Sequence, residues 1–524
     1  MEILRNSAIK EMDRTVLIAG THPMLEDIAR QYAVHNWKPE FKKSLAEACD
    51  CPDEIFIATE CGLEGRFTED SHNLNAVRRI CSGLEGKRVR CHILLHSSDT
   101  LALFQTQDPC SDIRDKVDII PFTLETLWAQ KIFTGIPGEQ LQFPPMDREL
   151  ISRQSDRTVH IVMFGMNSMT ETLARHAALT CHYPDYCRDH SLRTRITLVD
   201  EDMKSKMNGF INRHQALFDN SFYRLIDLDR QGGSAVSLRH APIYDGIRED
   251  FVDIEWEFVH GSMHDIVLRD KLSSWASSQK QDLTVFLNHD SDDRNINDFM
   301  QMPRSLADNG VSIIVRTCSN GSQAMYTGRR NVWTYGQHEH IYDITTPLIS
   351  LAKMVNHVYD CCYNDNFSEV SHEDNVYAPV SIDIAEAEAS WNRLPADKRW
   401  SSIHNAMTIP VKMRSLGHDV SDWNTFYSLS SREISTLAET EHNRWNIETL
   451  MMGYIPVTEQ QEKEIESDIS LKSSYKKNFI HYDLRAYKDL RADATGKRVD
   501  IYDICLSASI PLIASTFIKE RSHE

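Results

Sequence analysis

A chain of 524 residues has room for about three or four domains of ordinary size. Hydrophobic residues make up 41% of it and charged residues 26%, the balance of a folded globular protein rather than a disordered one. The formal charge of −20 argues against nucleic acid or an anionic membrane surface as main partner, since both are held by clustered Lys and Arg.

No apolar run reaches the length of about 18 residues that a membrane-spanning helix needs. The opening residues Met1 to Asn6 lack the apolar core of a signal peptide. With twelve scattered cysteines, this points to a reduced, cytoplasmic protein. Cys181, His182, Cys187 and His190 lie close together, but not at the spacing of a zinc knuckle or ribbon, and Cys361 and Cys362 are too near in sequence to share one ion easily. No metal is expected.

From Arg14 onward, short apolar runs alternate with helical stretches, the pattern of parallel βαβ units. Strands are expected at 15–20, 53–59, 88–95 and 117–122, with helices at 73–82 and 124–133. Pro137, Gly138, Pro144 and Pro145 would end this first unit. A second unit follows, with strands at 158–165, 195–200, 253–258, 283–287, 311–315 and 331–335. The two halves read as a tandem duplication, the first more degenerate.

The second unit carries the ingredients of a dinucleotide site. Gly165 after its first strand lets the backbone turn tightly and approach a pyrophosphate, which the N-terminus of the following helix stabilises. Asp200, ending the next strand, suits ribose hydroxyls. The glycine fingerprint is incomplete: Asn167 and Thr170 stand where its second and third glycines would be. Gly165 as a plain packing glycine accounts for the same residue.

The runs 159–165, 196–200, 253–257, 283–288 and 311–316 resemble the TrkA-N/RCK domains, nucleotide-binding regulatory modules of bacterial potassium transport systems. The likeness covers about 157–335, with a weak echo in 14–135. It implies a Rossmann-like fold holding NAD(H), NADP(H) or an adenine nucleotide as regulatory ligand. Carried over, Gly165, Asn167 and Ser168 would face phosphate, Asp200 ribose, and Asn288 the base. The first half, with Gly20 as its single turn glycine and Pro23 stiffening the turn, is expected to be structural or a dimerisation partner.

Residues 341–430 read as mostly helical, with Gly417 as a helix C-cap, 368–381 as a linker or lid, and 459–474 as a solvated face or insertion loop. In 437–448 a helical period puts Ile434, Leu437, Ala438, Trp445 and Met452 on one stripe, and Glu441 and Glu448 on that same stripe. Carboxylates facing a core are costly unless paired. An ion pair with Arg444 satisfies the pattern; so does a polar pocket beside a Trp platform.

The run Ala438-Glu-Thr-Glu-His-Asn-Arg-Trp445, then His481-Tyr-Asp-Leu484 and Tyr502-Asp503, resembles the bacterial ryanodine-receptor (RyR) repeat domain over about 430–520. That likeness implies a small helical module binding a ligand or another protein part, with no catalysis. Its ligand-facing residues would be Glu441, His442, Arg444, Trp445 and Glu448, opposed by His481 and Asp483.

The expected architecture is α/β: tandem Rossmann-like doubly wound parallel sheets at 1–145 and 155–340, a helical connector at 341–430 and a mostly helical RyR-like domain at 431–524. No catalytic residues stand out. The expected function is a regulatory nucleotide sensor, as a homodimer, controlling ion transport or a signalling response. The alternatives are a gating subunit with a vestigial nucleotide site, partnering a membrane transport subunit on another chain, and an NAD(P)-dependent oxidoreductase.

Overall fold

The computed structural model describes residues 14–42, 52–62, 65–82, 88–107, 109–228, 236–242, 250–364, 368–370, 376–379, 381–418, 429–490 and 499–523. Two compact units form. One comprises residues 1–128 with 337–347 and 394–398, and the other 129–336 with 348–393 and 399–524. Both are α/β, built on parallel strands.

In the first unit β1 (Arg14–Gly20), α1 (Leu25–Val34), β2 (Trp37–Lys42), β3 (Glu54–Ala58), α2 (Arg66–Ser82), β4 (Val89–Leu94), α3 (Ser98–Thr106) and β5 (Val117–Phe122) alternate along the chain. The five-stranded sheet runs β2-β1-β3-β4-β5. All its pairings are parallel. Val16 to Ala19 and Ile55 to Ala58 are buried, as continuous apolar runs must be when helices cover both faces. Two expectations change here. Strand β2 was not foreseen, because Lys38, Pro39 and Glu40 look unlike a strand; at a sheet edge Pro39 needs no ladder partner. Helix α2 begins at Arg66 rather than at Asn73.

The helix α4 (Leu124–Phe133) leads on. The second unit opens with β6 (Thr158–Phe164), α5 (Ser168–Thr180), β7 (Thr194–Asp200), α6 (Met203–Arg213) and α7 (Gln215–Asp219). Next come β8 (Phe222–Asp227), β9 (Val236–His240), β10 (Ile254–His260), α8 (Ile266–Ala276) and β11 (Gln281–Leu287). It continues with α9 (Asp292–Gln301), α10 (Arg304–Asp308), β12 (Ser312–Arg316), α11 (Asn320–Ala324) and β13 (Val332–Tyr335). The eight-stranded sheet runs β13-β12-β11-β6-β7-β10-β8-β9, antiparallel only at β8-β9. Its core packs Val162, Phe164, Leu283, Val285 and Val315 against Leu268 and Leu272 of α8. Without β8, β9 and β10, its strand order matches that of the first sheet: β7-β6-β11-β12-β13 stands beside β2-β1-β3-β4-β5.

The rest is mostly helical: α12 (Pro347–Tyr363), α13 (Ile384–Arg393), α14 (Ala396–Ser415) and α15 (Ser431–Met451). A two-stranded ladder of β14 (Ser368–Val370) and β15 (Val376–Ala378) sits in the stretch expected to be a linker or lid, part of which lies outside the described residues. Helix α14 closes as foreseen. Gly417 has φ +85°, its N–H bonds Arg414 O and the His418 N–H bonds Met413 O, which satisfies the last carbonyls. Helix α15 starts on a reciprocal cap between Ser430 and Glu433.

The chain ends through β16 (Ile455–Pro456), α16 (Glu459–Ser467), α17 (Leu471–Lys477), β17 (Ile480–His481), α18 (Ile501–Ala508) and α19 (Ile510–His523). The stretch 459–474, expected as a solvated face or an insertion loop, forms two helices rather than a loop. Its charges mislead because the buried face needs only Ile465 and Leu471, packed with Val457 and Tyr482, while Glu462 pairs with Arg485 at 2.7 Å. Among the described residues, no single helix is long and apolar enough to cross a membrane.

Candidate functional site

Two constellations hold the residues singled out from sequence, both in the second unit. The first lies at the carboxyl ends of β6 and β11, where the chain's progress across the sheet reverses direction. Doubly wound sheets open a crevice at such a point.

Gly165 follows β6 with φ +83°, a backbone region where a side chain is strained. A Cβ there would stand 2.6 Å from His289 Nδ1. Asn167 caps α5, accepting the Thr170 N–H at 3.1 Å, and its Nδ2 donates to Asn288 O at 2.6 Å. Thr170 in turn donates its hydroxyl to Gly165 O. Ser168 opens α5, half-buried.

Asp200 reaches back across the turn. Its carboxylate accepts the Met166 and Asp202 N–H groups, both at 2.8 Å, and Lys206 Nζ at 2.9 Å. Burial works against its charge, but the Asp202 amide, Lys206 and the Met166 amide outweigh it and hold the carboxyl below its usual range. Asn288 is buried with Oδ1 accepting Tyr335 OH at 2.7 Å, while its Nδ2 has no hydrogen-bond partner.

Sequence reasoning passed over His289, whose polar ring stands two residues after an apolar strand, a signal that was legible. Its Nε2 donates to Asp298 Oδ2 at 2.8 Å. Its Nδ1 faces Gly165. Its backbone is pinned by Asn295, which accepts the His289 N–H and donates to His289 O, each at 3.0 Å.

The second constellation lies between α14 and α15. Arg444 is fully buried and donates to Glu441, Nη2 to Oε1 at 2.8 Å, and to Glu448, Nη1 to Oε2 at 2.7 Å. Lys412 closes on Glu441 at 2.5 Å, and His404 Nδ1 and Ser401 Oγ meet Glu448 at 2.8 and 3.1 Å. Burial disfavours both carboxylates' charge, yet Arg444, helped by Lys412 and His404, holds each down at about 2. Burial also lowers Lys412, against the pull of Glu441. The ion-pair account of the two glutamates is thus realised, with Lys412 and His404 contributed by another helix.

Trp445 does not sit in the core stripe drawn from sequence. Helix α15 is buried nearly all round from Thr436 to Leu450, and between Thr440 and Leu450 only Trp445 is half-exposed. Its ring stacks on His442 at 5.4 Å and meets His481 edge-on at 4.9 Å. His442 Nε2 donates to Arg485 O at 3.0 Å, and its Nδ1 faces Asp503 at 3.2 Å. Burial pushes the Asp503 carboxyl up, and Glu441 adds to this against His442. Asp483 pairs with Lys472 at 2.9 Å. His481 and Asp483 therefore gather around the Trp445 side of α15, while Glu441, Arg444 and Glu448 are sealed on the other.

His182 bonds Asp253 at 2.9 Å, His190 stacks on Tyr186 at 4.6 Å, and Cys187 accepts from Asn443. Among the described residues no group of three or more His, Cys, Asp or Glu is disposed to hold a metal ion. The chain matches no family model, no curated protein and no solved structure.

Proposed function

We propose that this protein is a nucleotide-sensing regulator, with a Rossmann-like second unit of the TrkA-N/RCK kind and a C-terminal module of the RyR kind. The supporting observation is convergence at the sheet's reversal point. Gly165, Asn167, Asp200 and Asn288, spread over more than a hundred positions, are tied to one another by Met166 N–Asp200 and Asn167 Nδ2–Asn288 O. A turn glycine, a capped helix start and an acidic strand end are what a pyrophosphate and ribose require. The matching strand orders support a tandem origin for the two units. Helix α5, whose first turn lines the crevice, packs against α15. A ligand favouring one arrangement of that pair would bias both constellations, as coupling demands.

A gating subunit with a vestigial nucleotide site is the second reading. In its favour, His289 already lies against Gly165, and Lys206 with two amides already engages Asp200. A thermal-shift screen of the full chain with NAD, NADH, NADP, ATP, ADP and AMP separates the two. A ligand at 100 times its Kd adds about 2.7 kcal/mol. A shift abolished by Asp200→Ala and retained by Trp445→Ala supports the sensor. No shift with any of these nucleotides leaves the gating subunit.

A further inference from the structure

The first unit, expected to be structural, has a crevice of its own. Its order β2-β1-β3-β4-β5 reverses direction between β1 and β3. Gly20 ends β1 there with φ +126°, and a Cβ on it would stand 2.0 Å from Ala58 O, so only glycine fits. Two turns leave this edge carrying histidine: 20–22 after β1 and 95–97 after β4.

His22 is only 8% exposed. Its Nδ1 accepts the Met24 N–H at 3.2 Å, which fixes the proton on Nε2. Among the described residues no acceptor meets that Nε2, which stays open to the crevice rather than sealed in the core. Across β3, His96 presents a second orphan: its Nε2 is buried with no partner. Unpaired buried donors are costly and call for a ligand or water. A third imidazole, His338, packs edge-on against His22 at 5.1 Å.

Two carboxylates near the crevice are already engaged, and Glu60 after β3 is exposed. Asp70 on α2 is committed to the His96 and Ser97 N–H groups at 2.7 and 3.0 Å. Asp27 on α1 is committed to His340 at 3.0 Å. Strand β2 ends in Lys42 where the corresponding β7 ends in Asp200. Burial, then His338 and His96, press His22 down to about 4. The ring is therefore a neutral donor at pH 7, and a bound anion would favour its N–H as a hydrogen-bond donor.

We propose that the first unit binds the phosphate group of a small phosphorylated molecule at the carboxyl ends of β1, β3 and β4, with His22 Nε2 and His96 Nε2 as its donors.

The test is calorimetric titration of the full chain with inorganic phosphate, and in parallel with glycerol 3-phosphate, neither of which carries the ribose or base proposed for the second unit. His22→Asn keeps an acceptor for the Met24 amide and removes the Nε2 donor; His96→Gln removes the second orphan by itself. Asp200→Ala, in the other unit, is the control. Binding weakened about tenfold or more by either histidine change and unaltered by Asp200→Ala is the expected result. If His22→Asn lowers the thermal midpoint, His96→Gln alone decides. No phosphate or phosphate-ester binding at tens of millimolar overturns the inference, as does binding that both histidine variants retain. A response lost only in Asp200→Ala overturns it too, and places the ligand in the second unit.

Discussion

Arg444 and Glu441, one helical turn apart on α15, face each other in the interior with side-chain exposures of 2% each. Their contact is the centre of a network of charged and polar groups that runs from Lys412 to His404 across two helices. Charges taken that far from water hold only while every member is paired.

Arg444→Met should therefore unfold the protein more easily by about 3–5 kcal/mol, since it leaves two buried carboxylates short of their main partner. Denaturant titration of the variant beside wild type measures this. A change below about 1 kcal/mol would mean that water reaches the site.

The same network makes acid a specific denaturant. Glu441 and Glu448 titrate at about 2 in the folded protein, against about 4.3 in an unfolded chain. Their stabilisation is complete above about pH 4.3 and is lost as pH falls towards 2. Asp503, pushed up by burial, contributes in the opposite sense, its share declining as pH rises. The slope of unfolding free energy between about pH 4.5 and about pH 2.5 should be positive, and Glu448→Gln should flatten it.

Gly165→Ala meets two penalties, the positive φ and the 2.6 Å approach to His289. It should cost about 1–3 kcal/mol. In a double-mutant cycle with His289→Ala, part of that cost should disappear, because the ring is gone while the backbone strain stays. Full additivity would show that His289 does not crowd the glycine.

Gly417→Ala tests the end of α14. Its φ of +85° and a Cβ placed 3.2 Å from Leu150 Cδ1 predict a loss of about 1–2 kcal/mol, read from the thermal midpoint.

Much of the sheet architecture was legible because a parallel strand buried on both faces writes itself as an unbroken apolar run. Ile161 to Phe164 and Val285 to Leu287 are such runs, and both lie in strands. Strand β2 escaped because an edge tolerates Lys38, Pro39 and Glu40. The helices at 459–477 escaped because a short helix can bury two or three side chains and otherwise read as charge.

On α15 the helical period located Glu441, Arg444 and Glu448 as neighbours, since residues three and four apart must meet on a helix. It misplaced Trp445, because a helix surrounded on all sides has no single apolar stripe.

The sequence by itself determined the alternating strands and helices, the turn glycines and the need for charge pairing along α15, all consequences of local periods and backbone sterics. The tertiary structure decided which groups answer them. Lys412 and His404 reach α15 from another helix, and His289 settles over Gly165 from the turn after β11, far along the chain. No local period encodes such pairs, because they arise where separately formed elements are packed to leave few buried charges or donors alone.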